Sequence, residues 1–163
     1  MTVAKIEYVE GDATQPQGEG RKIIPHICND VGAWGKGFVL ALSRRWPEPE
    51  KEYRRWFRGE LPLPFELGRV QFVQVEPAIW VANIIGQHGL RPQKGIPPIR
   101  YEAVRQGLRH VADFAVQKRA EVHMPRIGAG LAGGDWETIS RIIQEELCGR
   151  GIKVVVYDLP RKR

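Results

Sequence analysis

The sequence predicts an α/β protein in which helices cover a largely buried sheet. Three observations carry this. Short apolar runs alternate with helical patterns along the whole chain. One of those runs, 22–28, holds two adjacent isoleucines, as a strand buried on both faces does. Two later segments repeat apolar residues at helical spacing, Val104, Leu108, Val111 and Ala115 in one and Trp136, Ile139, Ile143 and Leu147 in the other.

In chain order, 5–10 reads as a first strand that stops at Gly11-Asp12, and 22–28 as a second. A glycine-spaced loop, 29–37, follows it. Residues 38–45 read as helix, Pro47 and Pro49 interrupt it, and 50–57 resume it. Strands are expected at 70–75 and 79–85, joined by the turn at Glu76-Pro77, and a Gly- and Pro-rich loop at 86–98. A strand at 121–127 lies between the two later helices. The second of these ends at Gly149 and Gly151, and a valine-rich strand closes the pattern at 152–157. Alternation of this kind places ligands at the carboxyl ends of the strands. The loops to inspect therefore begin at Gly11, Asn29, Gly86 and Gly128.

The chain of 163 residues suits one domain, 1–160, with a basic tail at 161–163. A core of this size needs no disulfide or metal staple. With 42% hydrophobic and 27% charged residues, the composition is globular rather than disordered. No apolar run approaches the roughly 20 residues of a membrane span, and no secretory leader opens the chain, so a soluble, cytoplasmic protein is expected. Two cysteines and four scattered histidines lack ligand spacing, so no metal and no cofactor is expected. The net charge of +6 favours anionic partners. The aromatic residues sit inside apolar patterns, which argues against a dedicated nucleic-acid binder.

The most informative segment is 126–136, where a strand runs into a glycine-rich loop and the loop into a helix. It holds four glycines between 128 and 134. Glycines let backbone approach a ligand, and free amides at a helix start bind phosphate. Gly128, Gly130 and Gly133 also match a dinucleotide fingerprint, and Asp158 ends the next strand. That motif comes too late in the chain for the usual second half. A second glycine loop, Gly32 to Gly37, also follows a strand, and two facing glycine loops suit a diphosphate held between them. Asp12 is either an acceptor for an exocyclic amine or a turn-forming residue. Asn29 is either a ligand of ribose hydroxyls or a loop cap. Asp135 precedes a helix and reads as its N-cap. His26 and His123 read as core histidines.

Gly11-Asp12 after the first strand, the 29–37 loop after the second, and Pro125-Arg126-Ile127-Gly128-Ala129-Gly130-Leu131 with Trp136 resemble the macrodomain family over nearly the whole chain. The resemblance implies a three-layer α/β/α fold around a central mixed sheet and binding of ADP-ribose. It is nearest to the branch with a terminal ADP-ribose protein glycohydrolase and the reader module of a chromatin remodeller. It implies that Asp12 and Ala13 border the adenine with Leu159 near it. Arg126, Ile127, Gly128, Ala129, Gly130, Leu131 and Ala132 would wrap the diphosphate and distal ribose, with Gly35, Lys36 and Gly37 opposite. The glycohydrolase's catalytic lysine and aspartate correspond to Gln87 and Ala132 here, so its chemistry is not kept. The candidates left for catalysis are Asn29, Gln87 and Asp135, with Lys94 in the 86–98 loop as a further lysine. The expected activity is hydrolysis of ADP-ribosyl esters, on acidic side chains or small acyl groups. The alternatives are a non-catalytic reader and an ADP-ribose 1″-phosphate phosphatase. Expected partners are ADP-ribose and ADP-ribosylated proteins, with nucleic acid only as an ADP-ribosylated substrate. No membrane partner is expected, and the expected state is a monomer.

Overall fold

A computed structural model describes residues 4–160. The basic tail at 161–163 lies outside the described residues. The elements run β1 (Glu7–Glu10), β2 (Lys22–Asn29), α1 (Phe38–Arg45), α2 (Glu48–Phe57), β3 (Val70–Glu76), β4 (Ile79–Gln87), α3 (Tyr101–Lys118), β5 (Glu121–Met124), α4 (Trp136–Glu146), a 3-10 turn (Cys148–Arg150) and β6 (Val154–Asp158). The strand order is β1-β6-β5-β2-β4-β3. β3 pairs antiparallel to β4 and every other pair is parallel, so the sheet is mixed.

Alternation of side chains along the central strands sorts the core into two halves. Ile23 of β2 and Ala82 and Ile84 of β4 pack with Val104, Leu108 and Val111 of α3 and Ile139 and Ile143 of α4. Their neighbours Ile24, Val81 and Ile85 face the other way, onto Leu42 of α1 and Tyr53 and Trp56 of α2. The result is helix, sheet, helix. Gly107 of α3 sits directly under Ile84, and Gly86 of β4 lies against Val104 and Ile27, so α3 approaches the sheet closely. Among the described residues no helix is long and apolar enough to cross a membrane.

Three boundaries differ from expectation for identifiable reasons. β5 stops at Met124 rather than 127, because Pro125 has no N–H to continue the ladder. α2 begins at Glu48, two residues early, since prolines at its start need no intrahelical donor. α4 ends at Glu146, and a 3-10 turn uses Cys148–Arg150 before Gly151 turns left-handed at φ 77°.

Two histidines are buried and neutral. His26 on β2 touches Asn83 Oδ1 through Nε2 at 2.5 Å. Asn83 Nδ2 donates to Gln71 Oε1 and Pro49 O, so Oδ1 is the acceptor and the His26 proton sits on Nε2. Burial pushes His26 down to about 4, against a weaker upward pull from Asn83. His123 is also held below its ordinary value, chiefly by burial. It lies between the Tyr157 hydroxyl at 2.7 Å and Glu121 Oε1 at 2.9 Å.

An imidazole whose native pKa lies below its unfolded value binds fewer protons when folded. Its contribution is therefore complete above about pH 6.5 and drains away as pH falls towards the native value. For His26 alone the window from 6.5 to about 4 corresponds to about 3 kcal/mol. Urea midpoints are expected to be flat from pH 8 to 7 and to fall steadily from 6.5 to 5. His26→Gln should flatten that fall, and an unchanged slope in the variant would refute the assignment.

Candidate functional site

β2 and β5 pair only over Lys22–Ile23 and Glu121–Val122. Beyond that point the strands part. The chain leaving β2 turns into the α1 layer and the chain leaving β5 into the α4 layer. A crevice must open between them at the carboxyl end of the sheet. A cleft of about 570 Å³ occupies it, a size typical of small-ligand sites. Its floor includes His26, Ile27 and Cys28 of β2.

One wall is the loop after β2. Gly35, Lys36 and Gly37 line the cleft, and among the described residues none of their amides has a backbone acceptor. The opposite wall is the loop after β5. Ile127, Gly128, Gly130, Leu131 and Ala132 line the cleft, and the amides of Gly130, Leu131 and Ala132 likewise have no backbone acceptor among the described residues. The loop is held in shape from within. Gly134 N donates to Gly128 O at 2.8 Å and Gly133 N to Gly130 O at 3.0 Å. Gly128 has φ 70° and Gly133 φ 74°, where a side chain would be strained. The two loops nearly meet, since Leu131 Cδ1 lies 3.4 Å from the place a Cβ on Gly37 would take. Both walls thus carry backbone amides without a backbone acceptor, groups of the kind that can bind an anion.

Asn29 lines the cleft, and its amide shapes the loop. Nδ2 donates to Ala33 O at 2.8 Å, while Oδ1 accepts from Val31 N, Ala33 N and the Tyr53 hydroxyl. Gln87, the last residue of β4 and in register with Asn29, also lines the cleft and donates to Gly89 O at 2.9 Å. The 88–98 loop adds Leu90 and Arg91, residues that carry no motif and that sequence reasoning missed.

Other candidates stand elsewhere. Asp135 is not among the cleft-lining residues, and its carboxylate caps α4 by accepting from Thr138 N at 3.0 Å and Thr138 Oγ1 at 2.8 Å. Those two bonds hold the carboxyl below its ordinary range. Asp12 Oδ1 accepts from Thr14 N and Oγ1, both at 2.8 Å, which is the turn geometry. Ala13 is buried against Val155 and Tyr157. Leu159 is exposed at the end of β6. Asp12, Ala13, Ala129 and Leu159 are not among the residues lining the cleft. Arg126 lines it, but its guanidinium is engaged by Asp158 at 2.6 and 3.0 Å and stands 5.1 Å from the ring centroids of both Tyr8 and Trp136. Lys94 is not among the lining residues either.

Fold and cleft together define an α/β/α protein with a glycine-walled cleft at the split of its sheet. No protein-family model matches the chain. Against solved structures, it superposes on a macrodomain protein from Streptomyces coelicolor with TM-score 0.83 and 56% identity, over 94% of this chain and 99% of that one. A mouse protein named chromodomain-helicase-DNA-binding protein 1-like is 34% identical over 97% of the chain, which spans only 18% of that relative's length. A Candida albicans protein named ADP-ribose 1″-phosphate phosphatase is 26% identical over 86% of this chain and 92% of its own. The chain belongs to the macrodomain family.

Proposed function

We propose that this macrodomain binds ADP-ribose and hydrolyses ADP-ribosyl esters, releasing ADP-ribose from acidic side chains or small acyl groups. The observation that carries the reading is the pair of facing loops with free amides at the split between β2 and β5. A diphosphate offers acceptor oxygens on both sides, which is what such a cradle satisfies. The distal ribose then falls beside Asn29 and Gln87. These residues border the ribose rather than react with it, because an amide is neither basic nor nucleophilic. The adenine falls towards Asp12, Ala13 and Leu159. The bond to a carboxylate leaving group is labile, and positioning plus charge stabilisation suffice to break it with water.

Asp135 receives no catalytic role in this reading, since its carboxylate is taken by the α4 cap. The second reading is a non-catalytic reader. It draws on the neutral Gln87 and Ala132 at the cleft.

Incubation with a peptide mono-ADP-ribosylated on glutamate separates the two. Release of free ADP-ribose over many turnovers is the expected result. Tight binding of free ADP-ribose with no release would leave the reader. Borohydride added during turnover should trap no lysine adduct, as Lys36 lies in the diphosphate loop and Lys94 does not line the cleft. A stable ADP-ribose adduct on either lysine would overturn attack by water.

A further inference from the structure

The segment after β4 is a small hairpin. Gln87 bridges antiparallel to Ile99, and His88 N donates to Pro98 O at 2.8 Å. Gln93 and Ile96 exchange two backbone bonds, of 3.0 and 2.9 Å. Between them Lys94 and Gly95 have φ 53° and 78°, the paired positive values of a type I′ turn. The hairpin projects beside the cleft, and Leu90 and Arg91 on its first arm line it.

Its root is fastened by one residue. Asp30 N donates to Gln87 O at 3.0 Å, Asp30 Oδ2 meets His88 Nδ1 at 2.7 Å, and Asp30 Oδ1 accepts from Gly89 N at 2.9 Å. The second arm is tied to the glycine loop through Ile99 N and Ala132 O at 3.1 Å. Both arms are thus anchored to the two walls of the cleft.

Three cationic side chains line the cleft: Lys36, Arg91 and Arg126. Arg126 is committed to Asp158, and Lys36 belongs to the diphosphate cradle. Arg91 is exposed, lines the cleft and makes no ion pair among the described residues.

We propose that Arg91 is a catalytic residue that holds the oxyanion leaving C1″ of the distal ribose, and that Asp30 and His88 are the residues positioning it. This rests on the ester-hydrolase reading above. The C1″–O bond breaks and its electron pair departs on the leaving oxygen. The oxygen of water bonds to C1″, and a water proton passes to solvent. A guanidinium matches a two-oxygen anion with two parallel N–H bonds. The substrates are therefore ADP-ribosyl compounds whose leaving group is a carboxylate or a phosphate.

The test measures kcat and KM for wild type, Arg91→Ala and Arg91→Lys on two substrates, an ADP-ribosyl-glutamate peptide and ADP-ribose 1″-phosphate. Affinity for free ADP-ribose is measured beside them by calorimetry. Loss of one charge-stabilising group lowers kcat by about 100-fold in Arg91→Ala. Free ADP-ribose carries no leaving group, so its Kd stays within about twofold, and Arg91→Lys recovers part of kcat. The substrate that loses rate identifies the oxyanion as carboxylate or phosphate. Asp30→Ala lowers kcat in wild type and adds nothing in Arg91→Ala, whereas a merely structural role would add in both. Lys94→Ala, at the hairpin tip, keeps full activity. A kcat within twofold of wild type on both substrates, or a loss of ADP-ribose affinity as large as the loss of kcat, overturns the assignment alone. Absence of turnover by wild type overturns it together with the hydrolase reading.

Discussion

Gly130→Glu should abolish ADP-ribose binding and leave the fold intact. A Cβ at Gly130 meets no atom within 4 Å, and its φ is not in the left-handed region. The residue is exposed, so the substitution neither strains the backbone nor crowds the core. Its side chain instead enters the cleft that Gly130 lines. It would carry a negative charge into the space between two rows of free amides, where the ligand's own charge belongs. Like charges about 4 Å apart at an effective dielectric of about 20 repel by about 4 kcal/mol, on the order of 1000-fold in affinity. Calorimetry on the variant checks the affinity, and its urea midpoint checks the fold. Unchanged affinity in a folded variant would place the diphosphate elsewhere.

Gly134→Ala should do the reverse and damage the loop itself. A Cβ there would stand 2.5 Å from Gly128 O and 2.7 Å from the Cδ1 atoms of Ile139 and Ile99. The carbonyl cannot move away freely, because it accepts the 2.8 Å bond from Gly134 N that closes the loop. Ile139 is fully buried in α4 and cannot yield without disturbing the core. One methyl group therefore costs about 2–3 kcal/mol through overpacking. For a chain of this length that is a fall of about 5–10 °C in Tm. ADP-ribose affinity should fall too, since the cradle amides at 130–132 depend on that closure. Scanning calorimetry and binding on the same preparation check both. A Tm within 1 °C of wild type would show that the loop relaxes around the added methyl.

These two positions share residue type and loop, yet only the Gly134 substitution is expected to cost stability. Sequence marks both as glycine and distinguishes them only weakly. Gly134 is needed because Gly128 O and Ile139 come close to it, whereas Gly130 borders the open cleft and nothing in the chain crowds it. The requirement at Gly134 comes from folded packing. Similarly, Asn29 and Asp12 read as either ligand contacts or loop anchors. The structure shows what their side chains hold within the chain, the Ala33 turn for Asn29 and the Thr14 turn for Asp12.

By itself the sequence determined the succession of strands and helices along the chain, the burial of His26 and His123 and the family resemblance, and it offered Asp135 as a cap beside a catalytic role. All of these rest on local signals: period, proline and glycine placement, and cap residues. Only the tertiary structure decided that β2 and β5 part after two residue pairs, which is what opens the cleft. It also decided that Arg126 faces Asp158, 32 positions away in sequence, and that Asp30 fastens the hairpin carrying Arg91, 58 positions from His88. Contacts at such separations depend on strand register and sheet order. Neither has a local pattern, because any strand of matching hydrophobicity satisfies the same backbone bonds. The physics of the single residue could say which groups were able to act, and the folded sheet determined which of them meet.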